Sequence, residues 1–192
     1  MLPGFLIYTA PRLTTAEIRS GPKERMNRYH SLLVEYFAVP RHPLINEKRW
    51  LSTRQGIIKH LEQILFQVPN VSIEKQEFIT EILYSQPEST RLKGENIIVT
   101  FHGHNRWTKN DEILLVGAHY DSDSSRLVSI NDNGSGVVAI LESIQNLKLQ
   151  IVKKGKILLN TVIFVLFDIQ RSQYVIPYSF KKMISTLNGY FR

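Results

Sequence analysis

The sequence predicts an α/β fold: a mixed, largely parallel central sheet flanked by helices. Three observations predict it. Two runs with a helical period open the ordered part of the chain, and short apolar runs of strand length follow them. A third helical run then separates two nearly continuous apolar runs, residues 113–118 and 161–167. A strand–helix–strand order implies a right-handed parallel crossover, and near-continuous apolar strands are those covered on both faces. The 192 residues suffice for one full hydrophobic core and not for two.

Residues 1–22 lack periodicity and end in Gly21-Pro22, a turn signal, so they are expected to be a poorly structured N-terminal segment. Their short apolar start has no basic residue before it and makes no convincing secretory signal. Over residues 23–39, Met26, Tyr29, Leu33, Tyr36 and Phe37 fit one helical stripe, which Pro40 and Pro43 end. Residues 47–66 repeat the pattern with Trp50, Leu51, Ile57, Ile58, Leu61, Ile64 and Leu65. The period then changes. Residues 71–83 alternate in part (Val71, Ile73, then Phe78, Thr80, Ile82) and read as a strand. Residues 86–89 read as a loop and 96–101 as a second strand, neighbour to the first near the sheet edge. A polar turn, 102–110, leads to the run 113–118, expected to be a central strand. Over residues 132–147, Val137, Ile140, Leu141, Ile144 and Leu147 recur at helical spacing, and 161–167 is the second central strand.

Composition excludes some classes. There is no cysteine, hence no disulfide framework and no thiolate metal site. No run approaches the roughly 20 apolar residues of a membrane span. The net charge of +7 raises the question of nucleic acid, but residues 171–192 hold four basic residues and no acid, so much of the excess sits in that tail. No nucleic-acid-binding module is recognisable, and a solvated basic tail is the expectation.

Ligands in open α/β sheets bind outside the C-terminal ends of the strands. That points to two places, just after Ala118 and just after Phe167. The first carries His119-Tyr120-Asp121. Imidazole is a good zinc ligand, and its second ring nitrogen needs an acceptor, which Asp121 can supply. Further on, Asp132-Asn133-Gly134-Ser135-Gly136 lies where a loop becomes a helix. An aspartate there sits at the positive end of the helix dipole and can bridge two metal ions. Alone, a His-x-Asp is usually a surface or satisfied core feature, and an Asp-Asn-Gly run is usually a turn or cap. Their combination at the lip of one sheet is far more specific. The other histidines read as packing, surface or loop residues: His30 and His60 within helical patterns, His42 between prolines, and His102-Gly103-His104 in a turn without a carboxylate partner before Asp111.

The segments LLVGAHYDSDSS and SINDNGSGVVAILESI, with ENIIVTFHG before them, resemble the zinc-dependent aminopeptidase family, family twenty-eight of the metallopeptidases. That family includes bacterial aminopeptidases, plasma glutamate carboxypeptidase and, more distantly, glutaminyl cyclases. The likeness runs from Arg49 to Phe167. It implies a partial zinc-peptidase domain over residues 23–170, an incomplete aminopeptidase/phosphorylase-like α/β sandwich, followed by a divergent basic-aromatic tail over 171–192. It also implies two zinc ions and a peptide substrate. His119 matches a ligand of one zinc, Asp132 the carboxylate bridging both, and Asp121 the catalytic-site aspartate beside the histidine. Family members are often secreted.

The match fails after the next strand. Where the family has Phe-Asp-x-Glu-Glu, this chain has Phe167-Asp168-Ile169-Gln170-Arg171. Gln170 falls on the general base and cannot accept a proton at neutral pH. Arg171 falls on a zinc ligand, donates only and repels a dication. No Asp, Glu or His follows. The expectation is therefore a C-terminally truncated metallo-exopeptidase of the aminopeptidase type, incomplete and inactive in this form, with weak or absent zinc binding. The alternative is a non-catalytic, peptidase-like binding or interaction module.

Overall fold

A computed structural model of the chain describes residues 22–82, 90–123 and 129–170. The expectations for residues 1–21, the 86–89 loop, Arg171 and the 171–192 tail lie outside the described residues. Helix α1 spans Pro22–Leu32 and runs into a wider π-helical turn, Leu33–Phe37, where Tyr36 and Phe37 become buried. Helix α2 spans Glu47–Leu65, with Trp50, Ile57, Ile58, Leu61 and Leu65 on its buried face. The two approach closely at Gly56, where a Cβ would sit 2.6 Å from Tyr36 Cε1.

Strands β1 (Val71–Ile82) and β2 (Thr90–Phe101) form an antiparallel pair over all twelve rungs, Val71 opposite Phe101 and Ile82 opposite Thr90. β2 is longer than the apolar run 96–101, because its polar half is held by pairing with β1 rather than by burial. Strand β3 is Leu114–His119, helix α3 is Ser135–Lys154, and strand β4 is Val162–Phe167. Helix α3 stops at Gly155, whose φ of +61° suits glycine, with the Lys156 N–H capping Gln150 O at 3.1 Å.

The sheet order is β1-β2-β4-β3. β3 and β4 are parallel and linked through α3, as the strand–helix–strand reading requires. β1–β2 and β2–β4 are antiparallel. The sheet is thus mixed, and among the described residues its parallel share is one pairing of three, less than the largely parallel sheet expected. The physical reason lies in the connections. The seven residues between β1 and β2 are too few for a crossover, which takes a dozen or more.

A second correction concerns β3. Among the described residues it lies at the edge, with Leu114 57% and Leu115 37% exposed, while β4 is the buried central strand. An apolar run fixes strand length but not position in the sheet.

All three described helices pack on one face. Ile97, Val99 and Phe101 of β2 and Phe164 and Leu166 of β4 meet Leu61 of α2 and Leu141 and Ile144 of α3 in one core. Each such fully buried aliphatic side chain contributes about 1.5–3 kcal/mol. Ile98, Ile163, Val165 and Phe167 line the opposite face. Arg28 and Glu142 clamp α1 to α3 through two hydrogen bonds, Nε–Oε1 at 2.5 Å and Nη2–Oε2 at 2.6 Å.

Candidate functional site

β3 and β4 run on in register one residue past the ladder, where the Tyr120 N–H donates to Phe167 O at 3.0 Å. The Tyr120 side chain is fully buried, and its hydroxyl donates to Glu95 O at 2.8 Å. This fixes the backbone between His119 and Asp121. The second loop arrives from the other side. Asp132 and Asn133 precede α3 with non-helical backbone, and the peptide between them is cis. Gly134 and Gly136 do not supply a left-handed turn. They supply room: a Cβ on Gly134 would meet Phe37 Cβ at 2.7 Å, and one on Gly136 would meet Asn133 Oδ1 at 2.0 Å.

The result is a convergence. His119 Nε2 lies 3.1 Å from Asp132 Oδ1. On the other side of the ring, Nδ1 lies 3.2 Å from Asp121 O and 3.3 Å from Asp121 Oδ1. His119 and Asp121 are buried, and the Asp132 side chain is 53% exposed. The His119 pKa is set by opposing effects. Burial lowers it, the Asp121 carboxylate and then Asp132 raise it, and the net shift is upward.

Two ligands of one tetrahedral zinc, at about 2.05 Å each, stand about 3.3 Å apart. The His119–Asp132 pair fits that separation, with the Nδ1 side held by Asp121 as a ligating imidazole requires. Among the described residues, however, only these two side chains meet at such a separation. No group of three or more His, Asp or Glu side chains that could hold a metal is found among the described residues. His102 lies outside this site, its Nε2 3.2 Å from Ser72 Oγ. His42 is in a loop as expected but is buried, with Nδ1 accepting from the Leu44 N–H at 3.2 Å.

The second lip, after Phe167, is built differently. Asp168 is fully buried. Its Oδ1 accepts from the Trp50 indole at 2.7 Å and the Ile169 N–H at 2.9 Å, and its Oδ2 accepts from the Glu95 N–H at 2.9 Å. Arg54 Nη1 stands 3.5 Å from the same oxygen. Burial first, and then the Asp121 charge, push Asp168 up to about 7, against the lowering effect of its donors. Asp168 is thus tied to α2 and β2.

Sequence reasoning missed Arg41. Its guanidinium is fully buried between the two site loops. Nε donates to Tyr120 O at 2.9 Å, Nη1 to Phe37 O at 3.0 Å and Val39 O at 2.8 Å, and Nη2 to Ser129 O at 3.1 Å. The Arg41 and Ser122 backbones are also joined, Ser122 N–H to Arg41 O at 3.2 Å. Burial lowers the Arg41 pKa to about 10, and the Asp121 charge opposes that fall. One side chain therefore pins the loop after His119 to the loop before Asp132. The only signal in sequence was an arginine flanked by Pro40 and Pro43 just after a helix.

The fold and site together define an α/β protein with an imidazole and carboxylates gathered at a strand end. Residues 96–169, which hold β3, β4 and both lips, match the model of Peptidase family M28. No curated protein sequence matches the chain. Among solved structures, the glutaminyl cyclase of an Acidobacteriales bacterium is similar, with a TM-score of 0.62 and 16% identity, over 87% of this chain and 53% of that one. A leucine aminopeptidase precursor from Bacteroides thetaiotaomicron gives 0.54 and 20%, over 80% and 49%. A Zn-dependent exopeptidase from Parabacteroides distasonis gives 0.50 and 20%, over 81% and 50%. The chain spans about half the length of these structures, and the likeness is one of fold.

Proposed function

We propose that the chain carries part of a two-zinc exopeptidase site of the aminopeptidase type, with His119 and Asp132 as metal ligands and Asp121 as the aspartate behind the histidine. The observation that carries this reading is the 3.1 Å approach of His119 Nε2 to Asp132 Oδ1, inside the segment that matches the peptidase family. Zinc, when bound, polarises a carbonyl and lowers the pKa of a water. The chain's own residues prepare for that. With its Nδ1 proton donated to Asp121, His119 presents the Nε2 lone pair. Asp121 holds the ring, and Arg41 holds the two loops at a fixed separation. Asp132 has two carboxylate oxygens, enough to serve two ions.

A catalytic zinc takes at least three protein ligands. Two converge here, so this chain alone is expected to hold zinc weakly and to hydrolyse little. Gln170 favours a second reading, a non-catalytic peptidase-like binding module, because an amide there cannot take a proton from water.

Zinc titration calorimetry and cleavage of aminoacyl anilides separate the two. They are run on this chain and on a form carrying Gln170→Glu and Arg171→Glu with a C-terminal half taken from the family. The expected result is weak zinc binding by the chain and strong binding with cleavage by the extended form. An extended form that neither binds zinc nor cleaves would sink the peptidase reading. A cooperative melt of the chain that chelator leaves unchanged would favour the module.

A further inference from the structure

The end of the sheet opposite the His119–Asp132 pair carries a different chemistry. The loop 102–113 and the loop 155–161 meet there. The His104 N–H donates to Leu158 O and the Asn105 N–H to Leu159 O, both at 2.8 Å. Gly103 packs so closely that a Cβ on it would lie 2.4 Å from the Asn160 backbone. The two loops are therefore one surface.

That surface leaves large apolar side chains in solvent: Trp107 is 70%, Ile157 79% and Leu159 66% exposed. Arg106, Lys109, Lys153, Lys154 and Lys156 are exposed alongside them. Residues 148–160 hold four lysines and no acid. The nearby acids are Asp111, Glu112 and Glu74. Asp111 accepts from the Thr161 N–H and hydroxyl at 2.7 Å each, and Glu74 faces His102. An open cavity of about 470 Å³ lies between the loops, with Ile151 and Leu158 in its lining and His102, His104, Arg106 and Lys156 as its titratable residues.

We infer that this end of the molecule docks on the surface of a membrane rich in anionic phospholipid. Trp107, Ile157 and Leu159 enter the interfacial layer, and Arg106, Lys153, Lys154 and Lys156 lie against lipid phosphates. Tryptophan favours the headgroup level. Lys and Arg lay their stems along apolar surface while their charged ends reach the phosphates. Each one near an anionic leaflet contributes about fivefold in affinity. A nucleic acid would use the charges and could stack on Trp107, but it has no use for Ile157 and Leu159; an acyl layer does. No helix among the described residues is long and apolar enough to cross a membrane, so the association is with the surface. Orientation supports it. β4 runs from Val162 at this end to Phe167 at the other, six residues or about 20 Å, which keeps the His119–Asp132 pair at the end away from the membrane. The inference stands whether or not that site holds zinc.

The test uses a built-in probe. The chain has two tryptophans, and Trp50 is only 3% exposed, so a change in emission on adding vesicles reports Trp107. The full chain is mixed with vesicles of phosphatidylcholine alone or with roughly 30% phosphatidylserine. The expected result is co-sedimentation and a blue shift with the anionic vesicles, more than about a hundredfold weaker binding to the neutral ones, and weakening with salt. Replacing Lys153, Lys154 and Lys156 by Gln costs more than about tenfold in affinity. Ile157→Ser costs at least about threefold, and the melting temperature holds because these residues are exposed. No sedimentation with anionic vesicles at low salt overturns the inference. So does sedimentation without a change in Trp107 emission, or equally tight binding to a DNA oligonucleotide that is indifferent to Ile157→Ser.

Discussion

β3 and β4 lie side by side and parallel, with His119 opposite Phe167, yet the carboxylates just beyond them are put to different uses. Asp121 and Asp168 are both fully buried. Asp121 faces an imidazole that reaches an exposed aspartate. Asp168 faces an indole, two backbone N–H groups and a guanidinium that belong to the scaffold. Burial and position at a strand end are shared, so neither assigns a role. The donors around each carboxylate do. One carboxylate backs an imidazole that meets an exposed aspartate, and the other locks the sheet to α2.

The strongest way to break that contrast is to cut the tie between the two site loops. Arg41→Ala removes a buried cation and leaves four carbonyls short of a donor, at an expected cost of at least about 3 kcal/mol in urea unfolding. Arg41→Lys should recover part of this, since an ammonium has three donors in place of a fork of five. A loss under about 1 kcal/mol for the alanine variant would show that the loops hold without the guanidinium.

Next comes the other lip. Asp168→Ala strands the Trp50, Glu95 and Ile169 donors and the Arg54 charge, for a loss of about 3 kcal/mol. The pH dependence sharpens the test. Asp168 is raised from 3.8 to about 7 in the fold, so the native state keeps a proton that the unfolded chain releases between those values. This group's contribution is most favourable below about pH 4, declines as pH rises to about 7, and is level above that. Comparing the stability of wild type and Asp168→Asn across that window isolates the decline, which the amide cannot show. Parallel curves would mean that Asp168 ionises as an ordinary carboxylate. Trp50→Phe is milder. It removes one indole hydrogen bond while Oδ1 keeps the Ile169 N–H, and should cost about 1 kcal/mol.

The helices were legible from their period and β4 from its continuous apolar run, whereas the polar half of β2, residues 90–95, left no such mark. Trp50, Ile57 and Leu61 mark one face of α2, and Val162–Phe167 is apolar throughout. The meeting of His119 with Asp132 was legible because both stand where an element ends at the sheet's lip. Arg41 was not legible, since neither its burial nor its four carbonyl partners leave a mark in the local pattern. The role of Asp168 was hidden for a related reason. Its donors come from residues 50, 95 and 169, and only the folded chain brings them together.

The smallest expected effect bears on the difference between the two strands themselves. By sequence, 113–118 and 162–167 are equivalent apolar runs, and each would be a central strand. In the fold Val165 is fully buried and Leu114 is 57% exposed. Val165→Thr places a hydroxyl in the core at nearly constant volume and should cost about 2 kcal/mol. Leu114→Lys puts a charge at the sheet's open rim and should change stability by no more than about 0.5 kcal/mol. Such a charge also discourages edge-to-edge pairing, so it should leave the protein as soluble as before or more so. If instead Leu114→Lys destabilises as much as Val165→Thr, the outer side of β3 is covered, and the strand is central as its sequence suggests.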